Sequence, residues 1–344
     1  MTHSLFSLTL RRLLRLKPRT AWFSHPLFYS LETIGSHPDS PLRLPALEAE
    51  LKLQNIWPRL MKREAQEADD HTLALVHTRR YLGKLEANVP SAGNIRRLDD
   101  DTVMSHDSLY AARLAAGAVV RAVDYVLTGK AYNAFCAIRP PGHHAQSNKS
   151  GSFCLVNNLA VGVMHALSRH RLKRIAILDF DIHRGDGTEE IFADENRVML
   201  LGISQNSLYP YQQENADGSN PHLFNLALPD FADSLTFRRL IRKEWLPRLK
   251  AFQPEMVFLS AGFDGHKDEI LGDSLLHEAD YAWLTHKVIK NTPQCRGKIV
   301  SVLEGGYNIA AMSRSAAAHL HVLCGMGKPD CVSQYDRKRL KNIP

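Results

Sequence analysis

Arg174-Ile175-Ala176-Ile177-Leu178 runs straight into Asp179-Phe180-Asp181-Ile182-His183, and three other apolar runs of the chain end in the same manner. Ala134 to Ile138 leads into Arg139-Pro140-Pro141-Gly142-His143-His144, Met256 to Ser260 into Ala261-Gly262-Phe263-Asp264, and Ile299 to Leu303 into Glu304-Gly305-Gly306-Tyr307. Short runs rich in Ile, Val, Leu and Phe, bounded by Gly or Pro and alternating with helical stretches, read as buried parallel strands. In open α/β folds the carboxyl ends of such strands converge on one crevice, where ligands bind. The pattern places two carboxylates, three histidines and a tyrosine together there.

Five stretches between the runs read as helices: Ser108 to Leu127, Val156 to His170, Ser234 to Phe252, His277 to Lys290 and Ile309 to Leu323. In the first, Leu109, Ala112, Ala116, Val119, Val123 and Val126 form an apolar stripe at three- and four-residue spacing. Leu200 to Ile203 reads as one further short strand. The βαβα order predicts an α/β fold, a single doubly wound parallel sheet flanked by helices. Long loops should lie at the carboxyl ends of the strands. The longest, Ser204 to His222, carries Tyr209, Pro210, Tyr211 and Gly218, and loops of that length are more often functional than idle.

The chain has 344 residues, of which 44% are hydrophobic and 23% charged, an ordinary soluble composition. No run approaches the roughly 20 apolar residues of a membrane-spanning helix. The five cysteines are scattered, without a Cys-x-x-Cys pair, which suits a reducing compartment and a cytoplasmic location. The formal charge of +7 is spread along the chain with no nucleic-acid-binding motif, so no specific nucleic-acid partner is expected. Residues 1–19 stand apart, with Leu5, Leu8, Leu13 and Leu16 alternating with Arg11, Arg12, Arg15, Lys17 and Arg19. Two readings stay open there: a basic amphipathic helix for a membrane surface or organellar targeting, or a dispensable extension. A catalytic domain over 20–330 and a C-terminal tail over 331–344 complete the expected organisation.

Alternate residues of an extended segment point the same way, so Asp181 and His183 share a face. With Asp264 they make a nitrogen and oxygen donor set that suits zinc with an open position; iron or manganese would also fit. His143 and His144 can divide the proton work of hydrolysis, with Asp179 and Asp186 placed to hold the two imidazoles by their far nitrogens. Tyr307 follows two glycines that let the backbone turn, so its hydroxyl can donate to an oxyanion in the crevice.

These stretches resemble the histone deacetylase family, closest in wording to class II enzymes and bacterial deacetylase-like amidohydrolases. The matching segments are His37-Pro38-Asp39-Ser40-Pro41-Leu42-Arg43, Arg139 to Ala145, Phe153-Cys154-Leu155-Val156-Asn157-Asn158, Asp179 to Gly187, Ala261 to His266 and Leu303 to Asn308. The resemblance implies the arginase/deacetylase fold and zinc-dependent hydrolysis of an N-acyl-lysine. It implies Asp181, His183 and Asp264 as zinc ligands, and His143 as general base backed by Asp179. His144 backed by Asp186 would be its charged or acidic companion, and Tyr307 the oxyanion donor. Asp179, Asp181, His183 and Ser204 would surround a structural potassium. Gly151, Phe153 and Tyr209 would line the acyl-lysine tunnel, with Leu271 near its rim. Ser152 departs from the family's usual glycine, and Tyr209-Pro210-Tyr211 from its aromatic-Pro-Gly turn. The glycine-rich stretch that normally follows is here Asn215 to Asn225. Two alternatives stand beside this reading. One is an acetylpolyamine or other small-amide hydrolase, for which Asp99, Asp100 and Asp101 are candidate rim acids; the other is a scaffold that keeps the fold without catalysis.

Overall fold

A computed structural model describes residues 20–35, 37–211 and 221–339. The basic stretch 1–19, the loop residues 212–220 with Gly218, and the last residues of the tail, 340–344, lie outside the described residues.

Among the described residues there are ten strands: β1 (Thr20–Ser24), β2 (Leu60–Glu64), β3 (Ile95–Arg97), β4 (Val103–Ser105), β5 (Asn133–Cys136), β6 (Ile175–Asp179), β7 (Val198–Gln205), β8 (Leu223–Leu228), β9 (Met256–Ala261) and β10 (Ile299–Leu303). Eight form one sheet in the order β2-β1-β5-β10-β9-β6-β7-β8, and every pairing in it is parallel. β3 and β4 form a separate antiparallel hairpin. After β5 the chain skips two positions to lay down β6, moves outward through β7 and β8, and returns to fill the gap with β9 and β10. The four strands read first from the sequence are thereby four adjacent strands at the middle of the sheet. β5, β6, β9 and β10 are buried throughout, as parallel strands covered on both faces must be.

Helices Ser108–Leu127 and Ile309–Leu323 run as their periodicity predicts, and all six stripe residues of the first are buried. The stretch Ser234 to Phe252 is helical but not uniform: a π-helical turn, Ile241–Trp245, separates Ser234–Leu240 from Leu246–Phe252. Pro247 explains it, because proline lacks an N–H and its ring clashes with the carbonyl four residues back. The Leu246 N–H bonds instead to the Ile241 carbonyl, five back. β7 is longer than the predicted Leu200 to Ile203, and β1, β2 and β8 add strands that the apolar runs did not disclose. Cys136, Cys154, Cys295 and Cys324 are free and buried, while Cys331 is exposed. Among the described residues no helix is long and apolar enough to cross a membrane.

Candidate active site

Asp181 and His183 follow β6, and Asp264 follows β9, the adjacent strand. His183 Nδ1 lies 3.0 Å from Asp181 Oδ1 and 2.9 Å from Asp264 Oδ2. One donor atom from each of the three falls within 4.8 Å of the others. The remaining oxygens are held by backbone, Asp264 Oδ1 by the Ile182 N–H at 3.0 Å and Asp181 Oδ2 by the Gly305 N–H at 2.9 Å. That approach needs a glycine, since a Cβ on residue 305 would sit 2.3 Å from Asp264 Oδ2. Burial, then the neighbouring charge of Asp181, pushes the Asp264 carboxyl up to about 7. Two fully buried carboxylates facing one imidazole are the condition a divalent cation relieves, and the donor set fits one.

The histidine pair stands beside this triad, beyond β5. His143 Nδ1 is 3.2 Å from Asp179 Oδ2, His144 Nδ1 is 2.7 Å from Asp186 Oδ1, and the two ring centroids are 4.0 Å apart. His143 Nε2 faces the triad, 3.9 Å from Asp181 Oδ2. Burial opposes charge on His143, but Asp181 and Asp179 outweigh it and hold its pKa well above the ordinary imidazole value. Burial and then the His143 charge lower His144 to about 4. The two dyads are split in opposite directions.

Tyr307 follows Gly306, whose φ of 112° a side chain would strain. The turn is held from two sides. Glu269 accepts the N–H groups of Tyr307, at 2.8 Å, and Asn308, at 3.0 Å. Arg43 donates to the carbonyls of Gly306, at 2.9 Å, and Glu304, at 2.5 Å, with its guanidinium carbon 5.0 Å from the Tyr307 ring centroid. Arg43 and Arg139, both fully buried, share the carboxylate of Asp39 at 2.8 and 2.9 Å. Glu304 ties β10 to the histidine loop through the N–H groups of Gly142 and His143, at 2.7 and 3.2 Å. Burial pushes its carboxyl up to about 7. Sequence reading assigned no role to Arg43, Asp39, Glu269 or Glu304. Arg43, Asp39 and Glu304 lie inside matching segments, but only their spatial neighbours reveal what they do.

Above these groups opens a cavity of about 620 Å³, lined by His143, His144, His183 and Tyr307 at one end and by Phe153, Tyr209 and Leu271. The Phe153 and Tyr307 ring centroids are 5.6 Å apart, and those of Tyr209 and His144 4.9 Å. Gly151 sits against both walls: a Cβ there would lie 3.1 Å from the Tyr209 hydroxyl and 3.2 Å from the His144 carbonyl oxygen. Ser152 and Phe153 both adopt positive φ, 35° and 70°, and the Ser152 hydroxyl donates to Asp101 Oδ2 at 3.0 Å. Asp100 and Asp101, between β3 and β4, also line the cavity, together with Arg97; Asp99 is not among its lining residues. On the far side of the triad a small space is lined by Asp179, His183, Gly202 and Ile203. Ser204 is buried and its hydroxyl oxygen accepts from Asn225 Nδ2 at 2.8 Å.

Residues 37–323 match the family model for the histone deacetylase domain. The chain is 33% identical over 292 residues to a probable deacetylase of Archaeoglobus fulgidus, covering 83% of this chain and 80% of that one. It is 30% identical over 298 residues to a histone deacetylase-like amidohydrolase of Pseudomonas aeruginosa, covering 85% and 78%. Against the type-2 histone deacetylase 2 of Dictyostelium discoideum the identity is 34%, but the chain spans only 18% of that protein's length. The crystal structure of the HDA15 HD domain superposes with a TM-score of 0.82 at 28% identity, covering 94% of this chain and 96% of that one. Fold, strand-end residues and sequence relatives thus agree, and the chain belongs to the histone deacetylase family.

Proposed function

We propose that this protein hydrolyses an N-acyl-lysine, or a related linear amide, to the free amine and a carboxylate. The observation that carries the reading is the meeting of the Asp181, His183 and Asp264 donors with two His–Asp dyads and Tyr307 at one end of a single cavity. Asp181, His183 and Asp264 would hold zinc, and iron would take the same donors. A zinc ion there supplies Lewis acidity toward the carbonyl and the attacking water, and its charge offsets that of Asp181, which most raises His143.

With Nδ1 held by Asp179, His143 accepts the proton of the attacking water at Nε2. The leaving amine takes that proton back from His143; His144, its Nδ1 engaged by Asp186 and lowered to about 4, is the neutral companion imidazole and has no proton of its own to give. The Tyr307 hydroxyl donates to the carbonyl oxygen as charge builds on it. Phe153 and Tyr209 suit the neutral aliphatic stem of an acylated lysine, whereas a free ammonium would have to be desolvated between them. A structural potassium beside Asp179, with Asp181, His183 and Ser204, is part of the same proposal.

Zinc-loaded protein is expected to release acetate from an acetyl-lysine reporter, and a hydroxamate to block it. Absence of turnover across a panel of acyl-lysines, with metal demonstrably bound, would overturn the reading. One observation favours a second substrate class: Asp100 and Asp101 line the cavity and would attract the distal ammonium groups of an acetylpolyamine. Acetylspermidine assayed on the same preparation distinguishes the two.

A further inference from the structure

A second cavity, of about 230 Å³, opens where the π-helical turn Ile241–Trp245, the helix Glu278–Asn291 and the approach to the C-terminal helix Asp330–Arg339 meet. It shares no lining residue with the cavity above the active site. Four of its residues are cations, Arg238, Arg242, Lys287 and Lys328, and Asp336 is the one carboxylate among its described lining.

Three of the cations gather over one ring. Arg238, Arg242 and Lys287 lie 5.2, 5.3 and 5.8 Å from the centroid of Trp283. The ring face attracts each of them but does little to screen them from one another. The extra residue of the π turn changes the phase of its helix, and Arg242 sits within that turn facing Trp283. Burial and the surrounding Arg and Lys charges lower both Arg242 and Lys287 from their ordinary values.

Arg238 is only 2% exposed. Its Nε donates to Asp280 Oδ1 at 2.6 Å and its Nη1 to Asp336 Oδ1 at 2.9 Å, yet Nη2 has no hydrogen-bond partner among the described residues. Asp336 is already shared with Lys328, at 3.1 Å. Four cations against one carboxylate leave the hollow with an excess of positive charge, which calls for an anion with several acceptor oxygens. A monocarboxylate offers too little charge; a phosphoryl dianion matches the Arg242 guanidinium and the ammonium groups of Lys287 and Lys328.

We propose that this cavity binds a phosphoryl group, either as free phosphate or on a small phosphomonoester. Calorimetric titration of the full chain with inorganic phosphate, glycerol 3-phosphate and glycerol tests it. Arg242→Gln combined with Lys287→Gln leaves the Arg238–Asp280 pair intact, and thermal melting checks the fold; Lys328→Gln alone serves if the double variant melts early. Arg79→Gln with Arg80→Gln, on the exposed start of another helix, removes the same charge elsewhere.

One equivalent should bind the wild type, with no heat from glycerol. The cavity variants should weaken it roughly tenfold or more, the factor carried by one charge-assisted hydrogen bond, and the control should not. Tighter binding of glycerol 3-phosphate than of phosphate assigns the phosphomonoester, and the reverse assigns free phosphate. No saturable binding to the wild type, or equal weakening in cavity and control variants, overturns the proposal.

Discussion

Tyr307 and Gly305 stand two residues apart and carry different burdens. Replacing Tyr307 by Phe removes a hydroxyl and little else, because its backbone is held by Glu269 and its ring by Arg43 and Phe153. Turnover of an acyl-lysine reporter is expected to fall roughly 100-fold or more with zinc content unchanged, as loss of an oxyanion donor generally does. Unchanged turnover would remove Tyr307 from the mechanism. Gly305→Ala should act on the metal instead, since its methyl would lie 2.3 Å from Asp264 Oδ2 and 2.5 Å from Asp181 Oδ2. Metal analysis after dialysis should find less than one zinc per chain, and full occupancy would contradict the packing argument. The candidate ligands and Tyr307 are legible in the sequence because Asp181, His183, Asp264 and Tyr307 each follow a strand within four positions. Arg43 is not, because the carbonyl of Gly306 that it holds lies 263 positions away.

At the scale of elements, legibility followed burial. β9 and β10 are buried throughout and read as apolar runs, whereas β2 is a sheet edge whose Lys62, Arg63 and Glu64 leave no such signal. β1 is wholly buried, but Thr20 and Ser24 bound only three apolar residues, and it adjoins a basic stretch that masks it. The helix Asn158–Ser168 shows how an element start supports the site. Asn157 caps it through the Ala160 N–H at 3.0 Å, while its Nδ2 donates to the carbonyl of Ala145 at 3.2 Å. Its own N–H donates to Nε2 of buried His77 at 3.0 Å, whose Nδ1 pairs with the Gln146 carbonyl at 3.0 Å. Burial lowers His77 to about 4. The unfolded chain therefore takes up the proton first. The stability contributed is whole above the ordinary imidazole value and drains away as pH falls toward 4, by roughly 3 kcal/mol. Chemical unfolding between pH 7 and pH 4 should show this slope, and His77→Gln should make it shallower; an unchanged slope would place the titration elsewhere.

Across the whole molecule, Asp39 joins Arg43 and Arg139 into one buried ionic knot behind the Tyr307 turn and the histidine loop. Burial works against its charge, yet Arg139 and Arg43 hold its pKa below the usual carboxylate value. That contribution is fully present above the ordinary aspartate pKa and is lost as pH falls through the lower folded value. Asp39→Asn strands two guanidinium groups without a counter-charge and should destabilise the protein by about 3–5 kcal/mol, read from denaturant unfolding. A loss below 1 kcal/mol would mean that the knot is dispensable. The return of β9 and β10 to the middle of the sheet bears on biosynthesis. A nascent chain that has cleared the ribosome only as far as β8 holds two half-sheets with facing raw edges, and neither half carries the complete donor set. A chain cut before β10 lacks Gly305 and Tyr307, and one cut before β9 lacks Asp264 as well, so the candidate site assembles only once the final third of the polypeptide has wedged itself between the halves.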